Sequence, residues 1–166
     1  MPATAAKLTL AQFQEQFGRS QRAYEFWYGE AIPKSMPTWV RGLLQAIIMQ
    51  LLKEARFYAA SEVELRIDPD AHPRPDVIAS KSKGERAYPT HSVDIAVEIV
   101  SQDDSHSYLK EKCRKYQAWG IGHVFVVDPS DRSVTEWKGT LVETNNLSSI
   151  PVGRIWDELD QQYSSV

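Results

Sequence analysis

The pattern of apolar and polar positions predicts one long helix in the first half of the chain. In "TWVRGLLQAIIMQLLKEAR", residues 38–56, apolar side chains recur with the period of one helical face. That face comprises Val40, Leu43, Leu44, Ile47, Ile48, Leu51 and Leu52. A stripe this wide has to pack against other elements, so we expect the helix to cover part of the core.

Shorter elements are predicted before that helix. Thr9 followed by Gln12 is typical of a capping box, which begins a short helix. "AYEFWYGEAIP" predicts a hairpin that turns near Gly29 and ends at Pro33.

The patterns after the long helix predict a sheet. Residues 57–67 alternate in the manner of a half-exposed strand, and "HVFVVDP" is a continuous apolar run typical of a buried one. The remaining predicted elements are short strands in "RPDVIAS" and "VDIAVEIV", a closing hairpin in residues 130–144, and a final helix in residues 152–160 before a frayed C-terminal tail.

Residues 104–119 predict a helix with acids at its start, where the helix dipole favours them, and Gly120 at its end. This helix lies between two predicted strands, so residues 93–127 should form a right-handed crossover that joins parallel strands. The fold class is therefore α/β, with a mixed sheet flanked by helices. A chain of 166 residues suits a single domain, residues 1–166.

Composition adds little that is specific. Formal net charge is −3, so bulk electrostatics do not indicate a nucleic-acid binder, although the 19 Lys and Arg residues could cluster locally. The single cysteine, Cys113, allows no intramolecular disulfide and no cysteine-based zinc site. No stretch resembles a signal peptide or approaches the roughly 18 apolar residues of a membrane span. We expect a cytoplasmic protein with no membrane partner.

Three ionisable residues stand out because each occupies a position that should be buried. On the predicted helix 104–119, Lys112 points into the middle of an apolar stripe. A buried ammonium requires a carboxylate partner, and the preceding strand supplies Glu98. Asp76 lies on a short strand nearby.

Two carboxylates and a lysine that converge at one end of a sheet make a site for a hard cation. Mg²⁺ takes one or two carboxylates and keeps several waters. It would activate a water and stabilise charge on a phosphoryl group, while the lysine positions that water or neutralises the developing charge.

The same residues carry a family resemblance. "RPDV", then "VEIVS", then a lysine 14 residues after Glu98 resemble the PD-(D/E)xK nuclease pattern. The layout more closely resembles the Uma2 family of restriction-endonuclease-like proteins, and the resemblance covers most of the chain. "LTLAQFQ", "AYEFWYGEAI" and "KYQAWGIGHVFVVDP" are similar to three further segments of that family.

The resemblance implies a restriction-endonuclease-like core that cleaves phosphodiester bonds in DNA with Mg²⁺ or Mn²⁺. Asp76 and Glu98 would be metal ligands together with the main-chain carbonyl of Ile99. Lys112 would be catalytic, and Glu25 would be an accessory catalytic acid.

Departures from the family pattern support a rival hypothesis. "MPTWVRG" has no histidine before the long helix, "SQDD" replaces the usual "SPST", and Tyr108 occupies a position that is often aspartate. The rival is a catalytically drifted protein that acts as a nucleic-acid-binding or protein-assembly module. In it, the acids and the lysine form only a buried ion-pair network.

Each candidate also has a structural reading. Asp76 could flank a turn, Glu98 could be solvated on a strand face, and the Lys112 ammonium could reach water past the helix end. Glu25 could be a surface acid of the hairpin.

Other polar and aromatic groups favour structural roles. The histidines at 72, 91, 106 and 123 lack ligand spacing, and Cys113 has no histidine–acid partner, which favours a core thiol. The "KSKGER" loop could contact phosphate, and the aromatic run of residues 24–28 favours the core or an interface. A homodimer is the default assembly.

Overall fold

The computed structural model describes residues 6–164. Helices and strands are both found along this part of the chain. Within it the chain forms four helices and eleven strands, in order: α1 (Leu10–Phe17), β1 (Tyr24–Trp27), β2 (Glu30–Pro33), α2 (Trp39–Glu54), β3 (Tyr58–Ser61), β4 (Ala71–His72), β5 (Val77–Ser80), β6 (Ile95–Ile99), α3 (His106–Ala118), β7 (His123–Asp128), β8 (Ser133–Trp137), β9 (Leu141–Glu143), β10 (Asn146–Leu147), β11 (Ile150–Pro151) and α4 (Val152–Tyr163). The predicted fold class, a mixed sheet with flanking helices, is confirmed.

Six strands form the main sheet in the order β3-β5-β6-β7-β8-β9. β6 and β7 pair in parallel, as the crossover through α3 predicts, and the other neighbours pair antiparallel. A second sheet, β2-β1-β4, holds the N-terminal hairpin. β4 was not predicted from the sequence.

The two faces of the main sheet carry different helices because side chains alternate along each strand. Ile95, Val97 and Ile99 of β6 pack in one cluster with α2 and α4. Ala96 packs on the opposite face with Cys113 and other residues of α3. Glu98 has the same parity as Ala96, so it faces α3.

The hairpin β1–β2 turns through Tyr28 and Gly29, whose φ angles of 46° and 83° are both positive. Two consecutive positive φ angles are required by the two-residue turns that match the twist of paired strands. The hairpin predicted near Gly29 is confirmed, and β1 brings Glu25 inward, where it is 2% exposed.

The strand predicted over residues 57–67 is wrong beyond Ser61. The β3–β5 ladder ends at the pair Ser61–Val77, and Glu62 has a φ of 57° that turns the chain. Opposite the next residues lie Pro73 and Pro75, which have no amide hydrogen for a ladder. The residues directly after Glu62 lie outside any strand.

Two helix boundaries also differ from the predictions. α3 begins at His106 after an N-cap Ser105, so Asp103 and Asp104 precede the helix and its first turn holds no acid. Asp104 instead accepts hydrogen bonds from the Ser101 amide and the Ser35 hydroxyl. α4 continues to Tyr163, three residues past the predicted end. The frayed tail predicted after it lies partly outside the described residues.

In the described range 6–164, no helix has both the length and the apolar character that a membrane crossing requires.

Candidate metal and phosphodiester site

Asp76 directly precedes β5, and Glu98 lies on the adjacent strand β6. β5 and β6 pair antiparallel with Val77 against Val97, and continuing this register by one residue places Asp76 opposite Glu98. Directly opposite side chains share one face of a sheet at Cβ separations of about 5 Å. Two like charges at such positions destabilise a sheet unless cations neutralise them.

Lys112 neutralises one of these acids. Its side chain is 7% exposed, and its ammonium lies 3.1 Å from Glu98 Oε1 and 3.2 Å from Glu25 Oε1. Although burial opposes the charged form, Glu25 and Glu98 raise the pKa of Lys112 above its usual range. The ammonium is therefore charged, and the partner that the helical pattern predicted, Glu98, is confirmed.

Two tyrosines extend the same stripe of α3, one turn to each side of Lys112. The Tyr116 hydroxyl donates to Glu98 Oε1 at 2.7 Å, and the Tyr108 hydroxyl donates to Glu25 Oε1 at 3.1 Å. Burial and the neighbouring carboxylates raise the pKa of both hydroxyls. The tyrosines therefore act as hydrogen-bond donors that orient the two acids.

Both carboxylate oxygens of Glu25 accept hydrogen bonds. Oε1 accepts from Tyr108 and Lys112, and Oε2 accepts from the Arg74 amide at 2.5 Å. This buried carboxylate fastens α3 to the segment that leads into Asp76. The structural reading of Glu25 as a surface acid is wrong, because the residue is 2% exposed.

Asp76 is enclosed by cations of a different segment. Arg41 Nη2 contacts its Oδ1, Lys34 Nζ lies 3.3 Å from the same oxygen, and the Ile99 amide donates to Oδ2 at 2.6 Å. Asp76 is 0% exposed. Burial alone would raise the pKa of Asp76, but Lys34 and Arg41 hold it below the usual range.

The buried charges balance. Among the charged side chains buried in the described part of the chain are three acids and three bases: Glu25, Asp76, Glu98, Lys34, Arg41 and Lys112. Lys34 also lies 2.5 Å from the Arg74 carbonyl and 3.0 Å from Glu62. This ammonium thus sits among three oxygen ligands, where the sequence predicts a metal ion.

A pocket of about 440 Å³ opens on this network. Glu25, Glu98, Ile99 and Lys112 line it, as do Lys34 and Arg41. Glu98 Oε2 accepts no hydrogen bond from the described residues and is not sealed from solvent. It is the carboxylate oxygen of the pair that is available to a ligand.

The donor set has the chemistry of a magnesium site. Carboxylate and carbonyl oxygens are the ligands that Mg²⁺ takes, and the Lys34 ammonium shows that the oxygens around Asp76 bind a cation. Between residues 6 and 164, no three His, Cys, Asp or Glu residues converge on one metal position. Glu98 therefore fits as one ligand of an ion whose other ligands are waters, and Asp76 can join it only if Lys34 or Arg41 leaves its Oδ1.

Glu98 gives the protein a pH dependence that can be measured. Burial raises the pKa of Glu98 from 4.5 to about 7, although Lys112 opposes the rise. Between these values the native state keeps a proton that the unfolded state has released. The free energy of unfolding therefore falls as the pH rises through this window.

We expect the metal-free protein to lose on the order of 1–3 kcal/mol of stability from this group between pH 5 and pH 8. Glu98→Gln cannot titrate and lacks this contribution. Urea denaturation of both proteins in a chelator, at both pH values, measures the difference. Parallel changes in the two proteins would show that Glu98 is ionised throughout.

Two cations of the network were missed by the sequence reasoning. Arg41 could have been found, because it shares the apolar stripe of α2 with Leu44 and Ile48, the signal that identified Lys112. Lys34 follows Pro33 in a loop and gives no such signal. The roles of Tyr108 and Tyr116 could not be read either, because a tyrosine on an apolar stripe is typical of any core.

The structure agrees with the structural roles that the sequence favours for the remaining residues. Cys113 is fully buried, and burial raises the pKa of its thiol to about 12, so the predicted core thiol is confirmed. Phe26 and Trp27 are buried in the core. The "KSKGER" loop, residues 81–86, is exposed.

Comparisons with known proteins agree with the fold. A sequence model of the Uma2 family, described as "Putative restriction endonuclease", matches residues 10–152. Among solved structures, a putative nuclease belonging to DUF820 from Anabaena variabilis ATCC 29413 is similar, with a TM-score of 0.73 at 18% identity over 92% of this chain and 99% of that chain. A search of curated proteins found no match.

Proposed function

Because the chain belongs to the Uma2 family, described as putative restriction endonucleases, we propose that it is a metal-dependent endonuclease that hydrolyses phosphodiester bonds in DNA. Asp76 and Glu98 would hold Mg²⁺ or Mn²⁺ together with the carbonyl of Ile99. Lys112 would be catalytic, and Glu25 would assist it.

The observation that carries this proposal is the opposed acid pair. The β5–β6 register, continued by one residue, places Asp76 opposite Glu98, and a charged lysine contacts Glu98 in the lining of an open pocket. Keeping two carboxylates opposite each other is costly. A site that binds a divalent cation explains the cost.

The charge of the pocket supports a cation as the first ligand. Six carboxylates and four cationic side chains line it, so its formal charge is −2 without Asp76. A phosphate entering alone would meet net repulsion, and a bound divalent cation would remove it. When bound, the metal supplies a Lewis acid that activates a water and neutralises charge on a phosphoryl oxygen.

Lys112 acts as a donor in this proposal. Its pKa is raised, so the ammonium keeps its proton and cannot serve as a general base. It would donate a hydrogen bond to the attacking water or to a phosphoryl oxygen, and its positive charge would offset the charge that develops there. Glu25 and Tyr108 hold the ammonium and its carboxylates in place.

The test is cleavage of supercoiled plasmid by the purified protein with Mg²⁺, with Mn²⁺ and with a chelator. We expect the plasmid to be nicked or linearised only when metal is present. This activity should elute in the same fractions as the protein through two chromatography steps. Cleavage that continues in chelator, or that separates from the protein, would contradict the proposal. A homodimer remains a prediction, which sedimentation of the same sample measures.

A non-enzymatic function is the second candidate, and the balance of the buried charges favours it. Three acids and three bases neutralise one another without a metal, as a structural ion-pair network in a binding or assembly module would. This candidate predicts no cleavage of double- or single-stranded DNA with any divalent metal.

A further inference from the structure

Lys34 and Arg41 come from one short segment that borders the pocket. Lys34 follows β2 directly, and Arg41 lies in the first turn of α2. Both side chains line the pocket while contacting Asp76 Oδ1. Asp76 has no solvent-exposed surface, so another cation can reach Oδ1 only if one of these two contacts is broken.

The Lys34 ammonium is surrounded by oxygen atoms, as a bound metal ion would be. Its ammonium lies 3.0 Å from the Glu62 carboxylate, 2.5 Å from the Arg74 carbonyl oxygen and 3.3 Å from the Asp76 carboxylate. The contact with Asp76 is the longest of the three. Although burial opposes its charge, Asp76 and the other carboxylates raise the pKa of Lys34, so the group is a charged competitor for a divalent ion.

We infer that Lys34 and Arg41 are exchangeable counter-cations, which hold Asp76 while no divalent ion is bound and turn to the phosphate of the nucleic acid when one binds. This inference rests on the proposed function, and it assigns substrate contacts to two residues that the sequence did not indicate. Guanidinium and ammonium groups are the usual phosphate partners in proteins.

Charge balance couples the two binding events. With all six of its charged groups ionised, the buried cluster is formally neutral, so a divalent ion alone would leave it with an excess of two positive charges. A phosphodiester brings a negative charge and gives the released cations a new partner. Metal and DNA should therefore each tighten the binding of the other, since such coupling is reciprocal.

The segment between the two cations also suits nucleic acid. Met36 is 63% exposed and Trp39 is 79% exposed, and both lie between the pocket-lining residues Ser35 and Arg41. Exposed aromatic side chains next to cations provide stacking surfaces for bases. The same segment thus offers contacts to both the backbone and the bases of a bound strand.

The test measures Mn²⁺ affinity by electron paramagnetic resonance for the wild type, Lys34→Met and the control Lys110→Met. The control removes an equal charge from an exposed position of α3. We expect Lys34→Met to bind Mn²⁺ at least about 5-fold more tightly than the other two, because a competitor for Asp76 is gone. Lys34→Gln keeps a donor for the Arg74 carbonyl and is used if Lys34→Met does not fold.

The second arm repeats the titration with a short phosphorothioate DNA duplex. We expect the duplex to tighten Mn²⁺ binding to the wild type by at least about 5-fold, and to Lys34→Met by less. If Lys34→Met binds Mn²⁺ and the wild type does not, that result would also support the inference. If the wild type binds Mn²⁺ and Lys34→Met binds it equally or more weakly, the inference is overturned and the proposed function stands. If no variant binds Mn²⁺ and the wild type does not cleave DNA, both are overturned.

Discussion

Replacing Glu98 with glutamine is expected to lower the rate of metal-dependent DNA cleavage by about 10³-fold. Glutamine keeps the shape of the side chain and can still accept from Tyr116, but it removes the charge that would bind the proposed ion. Only Oε2 of this residue is without a hydrogen bond from the described residues, so the amide nitrogen can take the place of that oxygen. Single-turnover cleavage at saturating Mg²⁺ measures the loss.

The matched control is Asp103→Asn, which removes an exposed acid from the same pocket. We expect cleavage within a few-fold of the wild type, because a screened surface charge contributes little. Thermal unfolding of both variants shows whether the fold is intact. An active Glu98→Gln would remove Glu98 from the chemistry, and an equal loss in both variants would point to the overall charge of the pocket.

Replacing Lys112 with methionine is expected to destabilise the protein by about 3–5 kcal/mol at neutral pH. Methionine fills a similar volume but leaves Glu25 and Glu98 as two buried carboxylates without the ammonium they share. The defect should shrink as the pH falls, because Glu98 can then take up a proton. Urea denaturation at pH 7.5 and pH 5 measures the change.

Lys110→Met is the control for that substitution. Lys110 lies on the exposed face of the same helix, so its loss should change stability by less than about 0.5 kcal/mol. Equal stability of the two variants at pH 7.5 would mean that the Lys112 ion pairs contribute nothing net. A defect in Lys112→Met that does not vary with pH would indicate lost packing as its cause.

The periodicity of the sequence was sufficient to locate Lys112. A cation in the middle of an apolar helical stripe has to meet an acid, and the strand before the helix offered Glu98. The same rule applied to α2 would have found Arg41. The parallel pair β6–β7 also followed from the pattern, because a helix between two strands fixes the handedness of the connection.

The register that places Asp76 opposite Glu98 could not be predicted. It depends on where the β5–β6 ladder begins, and "RPDVIAS" alone does not fix that. The strand predicted through residue 67 failed for a related reason, since the prolines opposite it remove ladder donors and the alternation of residues 57–67 does not show which residues lie opposite. Lys34 reaches Asp76 through a loop, where periodicity carries no information.

The most direct measurement is a crystal structure grown with Mn²⁺, with anomalous diffraction recorded at the manganese edge. We predict one peak within ligand distance of both the Asp76 and Glu98 carboxylates, with Lys34 or Arg41 displaced from Asp76. If no peak lies between these two residues at saturating Mn²⁺, and Lys34 and Arg41 keep their contacts with Asp76, the buried acids are a structural ion-pair network.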